Sequence, residues 1–201
     1  PSISELMRFL VVSFSFFVLS FHSMAQFPFE KRGMERLQET KLDGLDPFFQ
    51  LTTDITYPIA LATPLSLISV GILRKKRELT RKGLVSAVGL LGAAGVSYIG
   101  KESIKRERPF IQQPNLVPYT FESGYSMPSG TTTAAFAWAA GVSTAFPKWY
   151  VAVPAFAVAS TIGYSRMHLA AHYPSDVLIG ALVGTGSVYL TDFLQRKLLK
   201  K

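Results

Sequence analysis

Residues 51–73 read LTTDITYPIALATPLSLISVGIL, and the next nine positions, 74–82, read RKKRELTRK. The first stretch is long enough to cross the hydrocarbon core of a bilayer, which takes about 20 predominantly apolar residues. The second stretch carries six basic residues against a single glutamate. Basic loops of this kind remain on the cytoplasmic side of a membrane. The two stretches therefore predict a transmembrane helix that ends in the cytoplasm.

Four further apolar stretches follow, at residues 83–100, 132–146, 149–164 and 177–194. Several of the five are short or contain proline, which membrane helices tolerate when their neighbours satisfy the freed backbone groups. All are rich in small residues that let helices pack closely in lipid. The chain of 201 residues is 48% hydrophobic and only 17% charged, against roughly 25% charged in soluble domains. We predict an all-α, integral-membrane bundle of five or six transmembrane helices, with a compact soluble helical bundle as the alternative.

The N-terminal segment allows two interpretations. Residues 9–21 are apolar, follow Met7-Arg8, and precede SMAQ at 23–26, which resembles a small-residue cleavage site. These features are typical of a secretory signal peptide. A short first transmembrane helix is the other interpretation of residues 1–25.

Two regions follow this segment. Residues 26–50 are mixed and charged, and we interpret them as a polar linker with a surface helix at about 33–42. Residues 51–201 contain all five long apolar stretches and are predicted to form one domain. The chain shows no internal repeat that would divide this domain further.

The charge balance favours a membrane over nucleic acid as partner. The chain carries 21 Lys and Arg against 13 Asp and Glu, a formal net charge of +8. The basic residues flank the apolar stretches, where a membrane protein needs them, and form no basic–aromatic surface pattern. We therefore expect no nucleic-acid partner. The chain has no cysteine, which excludes a disulfide framework and a thiolate metal site.

If the helices alternate in direction, residues 26–50, 101–131 and 165–176 lie opposite the basic loop. The latter two segments hold basic residues that oppose the positive-inside rule, namely Lys101, Lys105, Arg106, Arg108 and Arg166. Ionisable residues in membrane proteins usually have a function. We therefore interpret these residues as ligands for an anion.

The first polar motif is KESIKRERP at 101–109, with Lys101 and Arg108 seven positions apart. On a helix this spacing is two turns, so both cations would project from one face. Pro109 biases Arg108 towards an extended conformation and is expected to end the helix there. Alone, the motif is better explained as a solvated basic cap of a membrane helix.

The second motif is YSMPSGT at 125–131, which opens directly into an apolar helix. A Pro-Ser-Gly turn at a helix N-terminus exposes free backbone N–H groups and the positive end of the helix dipole. Ser129 and Gly130 are therefore candidates for binding phosphate. An ordinary helix cap explains the same residues equally well.

The third motif is SRMHLAAHYPSD at 165–176, with His172 and Asp176 four positions apart and Arg166 close by. A carboxylate at that spacing can fix the tautomer of the imidazole and leave the other ring nitrogen free. A lone membrane histidine can be structural, but a His-Asp pair beside an arginine favours a functional site.

Together the three motifs resemble the signature of the type 2 phosphatidic acid phosphatases, or PAP2 proteins. That signature reads Lys-x6-Arg-Pro, then Pro-Ser-Gly-His, then Ser-Arg-x5-His-x3-Asp. Order, spacing and placement between the predicted helices agree, and the resemblance covers residues 51–195. It implies a membrane helix bundle with its active site at the outer face.

The resemblance also implies roles for the motif residues. His172 would be the nucleophile that forms a phosphohistidine, and Asp176 would hold it. The phosphoryl oxygens would be bound by Lys101, Arg108, Ser129, Gly130 and Arg166. These cations and N–H groups would stabilise the transition-state charge themselves, so no metal and no other cofactor is expected.

The sequence departs from the family at Thr131, where the family has the histidine that protonates the leaving oxygen. Threonine is no acid near neutral pH, and loss of a general acid costs roughly 10²- to 10⁴-fold in rate. Activity should therefore be weakened or absent. The chain is either an engineered inactive variant or a natural divergent member. A third hypothesis makes His168 the substitute acid.

The implied activity is metal-independent hydrolysis of a lipid phosphate or pyrophosphate. Undecaprenyl pyrophosphate, phosphatidylglycerophosphate and lipid A phosphates all qualify as substrates. The implied location is the bacterial inner membrane, with the active site on the periplasmic face. Two alternatives remain at this point. One is a relative of soluble acid phosphatases or vanadate-dependent haloperoxidases, and the other is a non-catalytic lipid-phosphate binder or transporter.

Overall fold

The computed structural model describes residues 28–198, so the expected signal peptide or first helix at residues 1–25 lies outside them. The described part is helical and contains no strand. A 3₁₀ turn lies at Asp43–Leu45. The α-helices of the described part are α1 Pro28–Thr40, α2 Asp46–Asp54, α3 Thr56–Leu73, α4 Arg77–Ile104, α5 Pro109–Gln112, α6 Gly130–Ala145, α7 Trp149–His168 and α8 Pro174–Leu198.

Three stretches of the described chain are long and apolar enough to cross a membrane: Asp43–Leu73, Arg77–Gln112 and Pro174–Leu198. Large apolar side chains on them face outward, with Leu65 61% exposed and Leu91 68% exposed. A soluble bundle buries such side chains, whereas lipid solvates them. The predicted all-α integral-membrane fold is therefore confirmed in preference to a compact soluble bundle.

Helix α6 lies at the centre of the bundle, against α3, α4, α7 and α8. Its contact with α8 is close because two glycines face the α6 backbone. A Cβ on Gly180 would lie 2.7 Å from the carbonyl oxygen of Ser129, and one on Gly184 would lie 2.2 Å from that of Thr133. The close approach lets the backbone N–H of Ser129 donate to the carbonyl oxygen of Asp176 at 3.0 Å. The second and third motifs are thereby joined.

All three motifs lie at one end of the bundle. Helix α4 ends there, α6 begins, α7 ends and α8 begins, as the order of helices along the chain requires. The basic turn between α3 and α4 and the C-terminal end of α8 lie at the other end. The fold thus separates the polar motifs from the basic loop that was predicted to be cytoplasmic.

Helix α4 ends earlier than expected, so the helical geometry that would place Lys101 and Arg108 on one face does not form. The helix stops at Ile104, because Lys105 adopts a left-handed backbone conformation with φ of 50°. Arg108 lies in the following segment with φ of −73° and ψ of 157°, the extended geometry favoured before Pro109. The two cations therefore approach the site from different elements.

The surface helix near the N-terminus also has other bounds than expected, since α1 covers Pro28–Thr40 rather than residues 33–42. It is attached to the site end of the bundle. Its Met34 is fully buried, and the side-chain amide of Gln38 donates to the carbonyl oxygen of His168 at 2.9 Å. Helix α1 therefore forms part of the wall around the third motif.

Candidate active site

Arg108 is oriented mainly by main-chain carbonyl groups. Its Nε donates to the carbonyl oxygen of Gly124, Nη2 to that of Ser123 and Nη1 to that of Ala171, each at 3.1 Å. A guanidinium group carries five N–H donors in a rigid plane. These bonds therefore fix the plane of Arg108 without neutralising its charge.

Lys101 and Arg166 supply two further cations. Lys101, in the last turn of α4, donates its Nζ to the carbonyl oxygen of Tyr125. Arg166, in the last turn of α7, is fully buried and donates its Nη1 to the hydroxyl of Thr53 at 2.9 Å. Its Nε is buried and has no acceptor among residues 28–198. Lys101 and Arg108 both bind carbonyl groups of residues 123–125, so these two predicted cations converge on one loop.

A carboxylate that was not predicted joins two of these cations. Glu122, on the loop between α5 and α6, places Oε2 2.9 Å from Nη1 of Arg108 and accepts a hydrogen bond from Nη2 of Arg166 through Oε1. Burial raises the pKa of Glu122, but Arg166, His172 and Arg108 outweigh burial and hold the pKa below its ordinary value. Glu122 is the only acidic residue between positions 109 and 130, and this isolated charge could have marked it as a candidate site residue.

His172 is buried beside Arg108, with its Nε2 3.2 Å from Nη1 of that arginine. An arginine can only donate, so Nε2 accepts and the ring proton lies on Nδ1. Burial lowers the pKa of His172 to about 4, even though Asp176 acts in the opposite direction. At neutral pH the ring is thus neutral, with the lone pair of Nε2 directed at the cation cluster. This is the protonation state that a nucleophilic histidine needs.

Asp176 reaches His172 through a serine rather than directly. The distance from Nδ1 of His172 to Oδ2 of Asp176 is 3.7 Å, too long for a hydrogen bond. The hydroxyl of Ser126 donates to Oδ2 of Asp176 and lies 3.4 Å from Nδ1 of His172. The direct support expected from the sequence is therefore relayed by Ser126, which had been quoted in the second motif without a role.

The N-terminus of α6 carries the Pro-Ser-Gly turn. Ser129 is the N-cap, and its Oγ accepts from the backbone N–H of Thr132 at 3.4 Å and from the Thr132 hydroxyl at 2.9 Å. Both bonds are accepted by lone pairs of the hydroxyl, so its O–H can still donate, as can the backbone N–H groups at the start of the helix. Thr131 is buried in the first turn, only 7% exposed, and brings no acidic group to the site.

His168 lies apart from the cation cluster. Its Nε2 is 2.8 Å from Oδ1 of Asp46, and its ring packs against Phe49 with 4.4 Å between centroids. These contacts join α7 to α2 rather than to the phosphate motifs. The hypothesis that His168 replaces the missing acid has no support in this geometry.

Fold and site together define a class of protein: a membrane helix bundle in which cations and a helix N-terminus surround a neutral histidine at one end. Residues 82–198, more than half of the chain, match the sequence model of the PAP2 superfamily. The chain belongs to this superfamily, as its three motifs predicted.

Two curated relatives illustrate the similarity. A lipid A 1-phosphatase from Porphyromonas gingivalis is 29% identical over 153 residues, 75% of this chain and 32% of that protein. A decaprenylphosphoryl-5-phosphoribose phosphatase from Mycobacterium tuberculosis is 33% identical over 119 residues, 58% of this chain and 60% of that protein. The chain thus spans between about a third and three-fifths of the length of these relatives.

Two solved structures share the fold. A transmembrane PAP2-type phosphatidylglycerolphosphate phosphatase from Bacillus subtilis has a TM-score of 0.74 at 22% identity, covering 92% of this chain and 96% of that one. Aquifex aeolicus LpxE has a TM-score of 0.69 at 25% identity, covering 83% of this chain and 96% of that one. Both matches agree with the all-helical membrane architecture.

Proposed function

We propose that the chain hydrolyses a lipid phosphate or pyrophosphate through a phosphohistidine on His172. The observation that carries this proposal is the position of the Glu122 carboxylate, which bridges Arg108 and Arg166 beside the imidazole. A phosphoryl group offers its oxygens to guanidinium groups as a carboxylate does. A phosphoryl group that displaced Glu122 would lie next to Nε2 of His172.

The first step is attack by the neutral imidazole. The lone pair on Nε2 of His172 forms the N–P bond while the P–O bond to the lipid breaks. Nδ1 keeps its proton, so the phosphorylated ring is cationic, and Ser126 and Asp176 stabilise that charge. Water then attacks phosphorus, the N–P electron pair returns to Nε2, and inorganic phosphate leaves with the oxygen and protons of that water. The lipid oxygen takes its proton from solvent. The cations Lys101, Arg108 and Arg166 stabilise the oxygens throughout, together with the Ser129 hydroxyl and the Gly130 backbone.

The leaving oxygen determines how well Thr131 is tolerated. A lipid monoester leaves as an alkoxide, which needs a proton that threonine cannot supply. When the terminal phosphoryl group of a lipid pyrophosphate is transferred, the leaving group is a lipid phosphate. This anion is a much weaker base than an alkoxide and needs little protonation. The chain is therefore expected to cleave pyrophosphates and activated esters better than lipid monoesters.

An apolar groove supports a lipid as the substrate. The groove has a volume of about 300 Å³ and runs between α3, α4 and α6. Lys101 and Gly130 lie in its lining, which otherwise includes Leu61, Leu90 and Leu91. A phosphate at the cations could thus keep its hydrocarbon chain among the helices. The relatives named above, which act on lipid A or a decaprenyl lipid by name, are consistent with this substrate class.

The distribution of charge supports an outward-facing site. The basic turn at residues 74–76 lies at the opposite end of the bundle from the motifs, and such basic turns stay in the cytoplasm. We therefore assign the site to the periplasmic face of a bacterial inner membrane. Cysteines introduced at Lys76 and at Tyr119 should be labelled from opposite sides of intact spheroplasts, and labelling of both from one side would contradict this orientation.

The test is the replacement of Thr131 by the family's histidine in the detergent-purified protein. Thr131→His is expected to raise hydrolysis of lipid monoesters by roughly 10²-fold or more. The gain should be smaller for p-nitrophenyl phosphate, whose leaving group is acidic. His172→Ala in the restored protein should abolish both reactions. A protein that binds lipid phosphates but stays inactive after Thr131→His would instead be a binder or transporter, the function that Thr131 itself favours.

A further inference from the structure

Arg106 is a buried arginine outside the phosphate site. It is 5% exposed, and the family signature leaves its position unspecified. Its Nη1 donates to Oδ1 of Asp176 at 2.6 Å and to the hydroxyl of Ser175 at 2.7 Å. Its guanidinium also covers the ring of Tyr173, 4.0 Å from the centroid. Arg106 therefore contacts three of the four residues from Tyr173 to Asp176, where the third motif leads into α8.

These contacts leave Asp176 little freedom to rotate. Arg106 binds Oδ1, while the hydroxyl of Ser126 and the backbone N–H of Tyr173 both donate to Oδ2, the latter at 2.8 Å. A carboxylate with different partners on its two oxygens cannot turn without breaking charge-assisted hydrogen bonds. Arg106 thus determines which oxygen of Asp176 faces Ser126 and, beyond it, His172.

The other side of Arg106 is held by helix α1. Its Nη2 donates to Oε2 of Glu30 at 2.8 Å, and Glu30 is only 2% exposed. The remaining oxygen of Glu30 accepts the backbone N–H of Ser175 at 2.9 Å. Burying three ionic groups is costly unless they are well paired. Both carboxylates of the cluster Glu30–Arg106–Asp176 are paired with Nη groups of Arg106, and only Nε of Arg106 lacks a partner among residues 28–198. The cluster connects a helix near the N-terminus to the histidine.

We propose that Glu30 and Arg106 are positioning residues that act on His172 through Asp176 and Ser126. This inference rests on the proposed phosphatase function. Glu30 keeps Arg106 in place, Arg106 orients the Asp176 carboxylate, and Ser126 transmits that orientation to Nδ1 of the imidazole. Neither Glu30 nor Arg106 contacts the cations that would bind the phosphoryl group, so they serve the nucleophile and not the phosphate.

The experiment separates attack by His172 from binding at the cations. p-Nitrophenyl phosphate suits it because its leaving group needs no acid, so the protein can be studied with Thr131 in place and again with Thr131→His. The first-order rate of nitrophenolate release measures how fast His172 attacks. The inhibition constant of inorganic phosphate measures how tightly the cation cluster binds an anion. Glu30→Gln and Arg106→Lys are the test variants. Glu35→Gln is the matched control, since Glu35 lies on the same helix and accepts a hydrogen bond from Gln113 at 2.9 Å.

We expect Glu30→Gln to slow nitrophenolate release about 10-fold, the effect of losing one hydrogen bond between charged groups, with the phosphate inhibition constant unchanged. Arg106→Lys keeps the charge but loses the planar fork, so it should lose part of the rate. Glu35→Gln should match the parent protein. Thermal unfolding in detergent identifies a variant that has lost its fold. If one of the two test variants is unfolded, the rate of the other one tests the inference.

Three outcomes would overturn the inference. Parent rates in both folded test variants would show that the cluster does not act on His172, while the proposed function would stand. A rate loss matched by an equal loss of phosphate binding would assign the cluster to overall structure. A parent protein that neither releases nitrophenolate nor binds phosphate would refute the proposed function itself, and the positioning role with it.

Discussion

Helices α4 and α8 pack against each other, and buried ionic groups lie at both ends of this helix pair. The charged groups have different partners at the two ends. At the end far from the site, Asp192 of α8 accepts from Lys82 at 2.8 Å and lies 2.7 Å from Arg196, with Arg81 at 3.9 Å. These ion pairs hold the two helices together, and they engage both oxygens of Asp192. The cluster leaves its carboxylate no oxygen for an outside ligand.

At the site end the three cations of the phosphate motifs are held mostly by neutral groups, whereas Arg106 is paired with Glu30 and Asp176. Main-chain carbonyl oxygens orient Lys101 and Arg108, and a threonine hydroxyl binds Arg166. The single carboxylate that bridges the two arginines, Glu122, comes from a loop. A cation fixed by neutral acceptors keeps its charge for an incoming anion. The comparison indicates that the far end is built for stability and the site end for binding.

The largest expected difference between the two ends comes from removing one arginine from each. Arg166→Ala should lower nitrophenolate release from p-nitrophenyl phosphate by about 10²- to 10³-fold, since a preorganised donor to the transition state is lost. Arg196→Ala removes a side chain that is 58% exposed and should leave the rate per folded molecule unchanged. Equal losses in both variants would break the comparison.

The relay to His172 should show the next largest effect. Ser126→Ala leaves Nδ1 of His172 without a hydrogen-bond partner and should slow the same reaction about 10- to 100-fold. Ser143→Ala is the matched control, because this buried serine only donates to the carbonyl of Ala139 within its own helix. If Ser126→Ala reacts at the rate of Ser143→Ala, then Asp176 does not act through Ser126.

Glu122 should have a smaller effect of opposite sign. An anion must displace its carboxylate from Arg108 and Arg166, so Glu122→Gln should tighten binding of inorganic phosphate by about fivefold, which corresponds to about 1 kcal/mol for a partly exposed ion pair. Isothermal titration calorimetry measures this affinity directly. Glu107→Gln makes the same charge change at an exposed position and should have no effect. Weaker binding in Glu122→Gln would assign Glu122 to the anion site as a supporting group.

The pH dependence of His172 should be the most subtle difference. NMR of labelled histidine rings, assigned with His172→Ala, should give a midpoint near pH 4 for this residue, against about 6.5 for an ordinary histidine. Because the folded pKa is the lower one, the unfolded chain binds the proton first as the pH falls. Folded-state stability should therefore decrease between about pH 6.5 and pH 4. A midpoint between pH 6 and 7 would show that the ring is not desolvated.

The sequence was sufficient for the architecture and for most of the site. Long apolar stretches predict helices, and alternation of helix direction brings Lys101, Ser129 and His172 to one end. The motif spacing does not reveal where α4 ends, because a left-handed residue at Lys105 turns the chain before Arg108. The segment after the turn is bound by residues distant in sequence, since Arg106 pairs with Glu30 and Asp176.

The unpredicted groups at the site share a physical cause. Glu122 lies on a loop whose course is determined by the carbonyl groups that bind Arg108, and Glu30 pairs with Arg106 across 76 positions of sequence. Neither pairing follows from a regular spacing of residues in the sequence. Ser126 was visible in its motif, but only the 3.7 Å gap between His172 and Asp176 shows why it is needed.

The central claim is that Nε2 of His172 attacks phosphorus at the cation cluster, and trapping the phosphorylated protein tests it most directly. The protein with Thr131 in place would be mixed with p-nitrophenyl phosphate, quenched in alkali to preserve a phosphoramidate bond, digested and mapped by mass spectrometry. The prediction is phosphate on His172, in stoichiometric yield with the first release of nitrophenolate, and about 10²- to 10³-fold slower formation in Arg166→Ala. Phosphate on His168, or nitrophenolate release from His172→Ala at the parent rate, would contradict the claim.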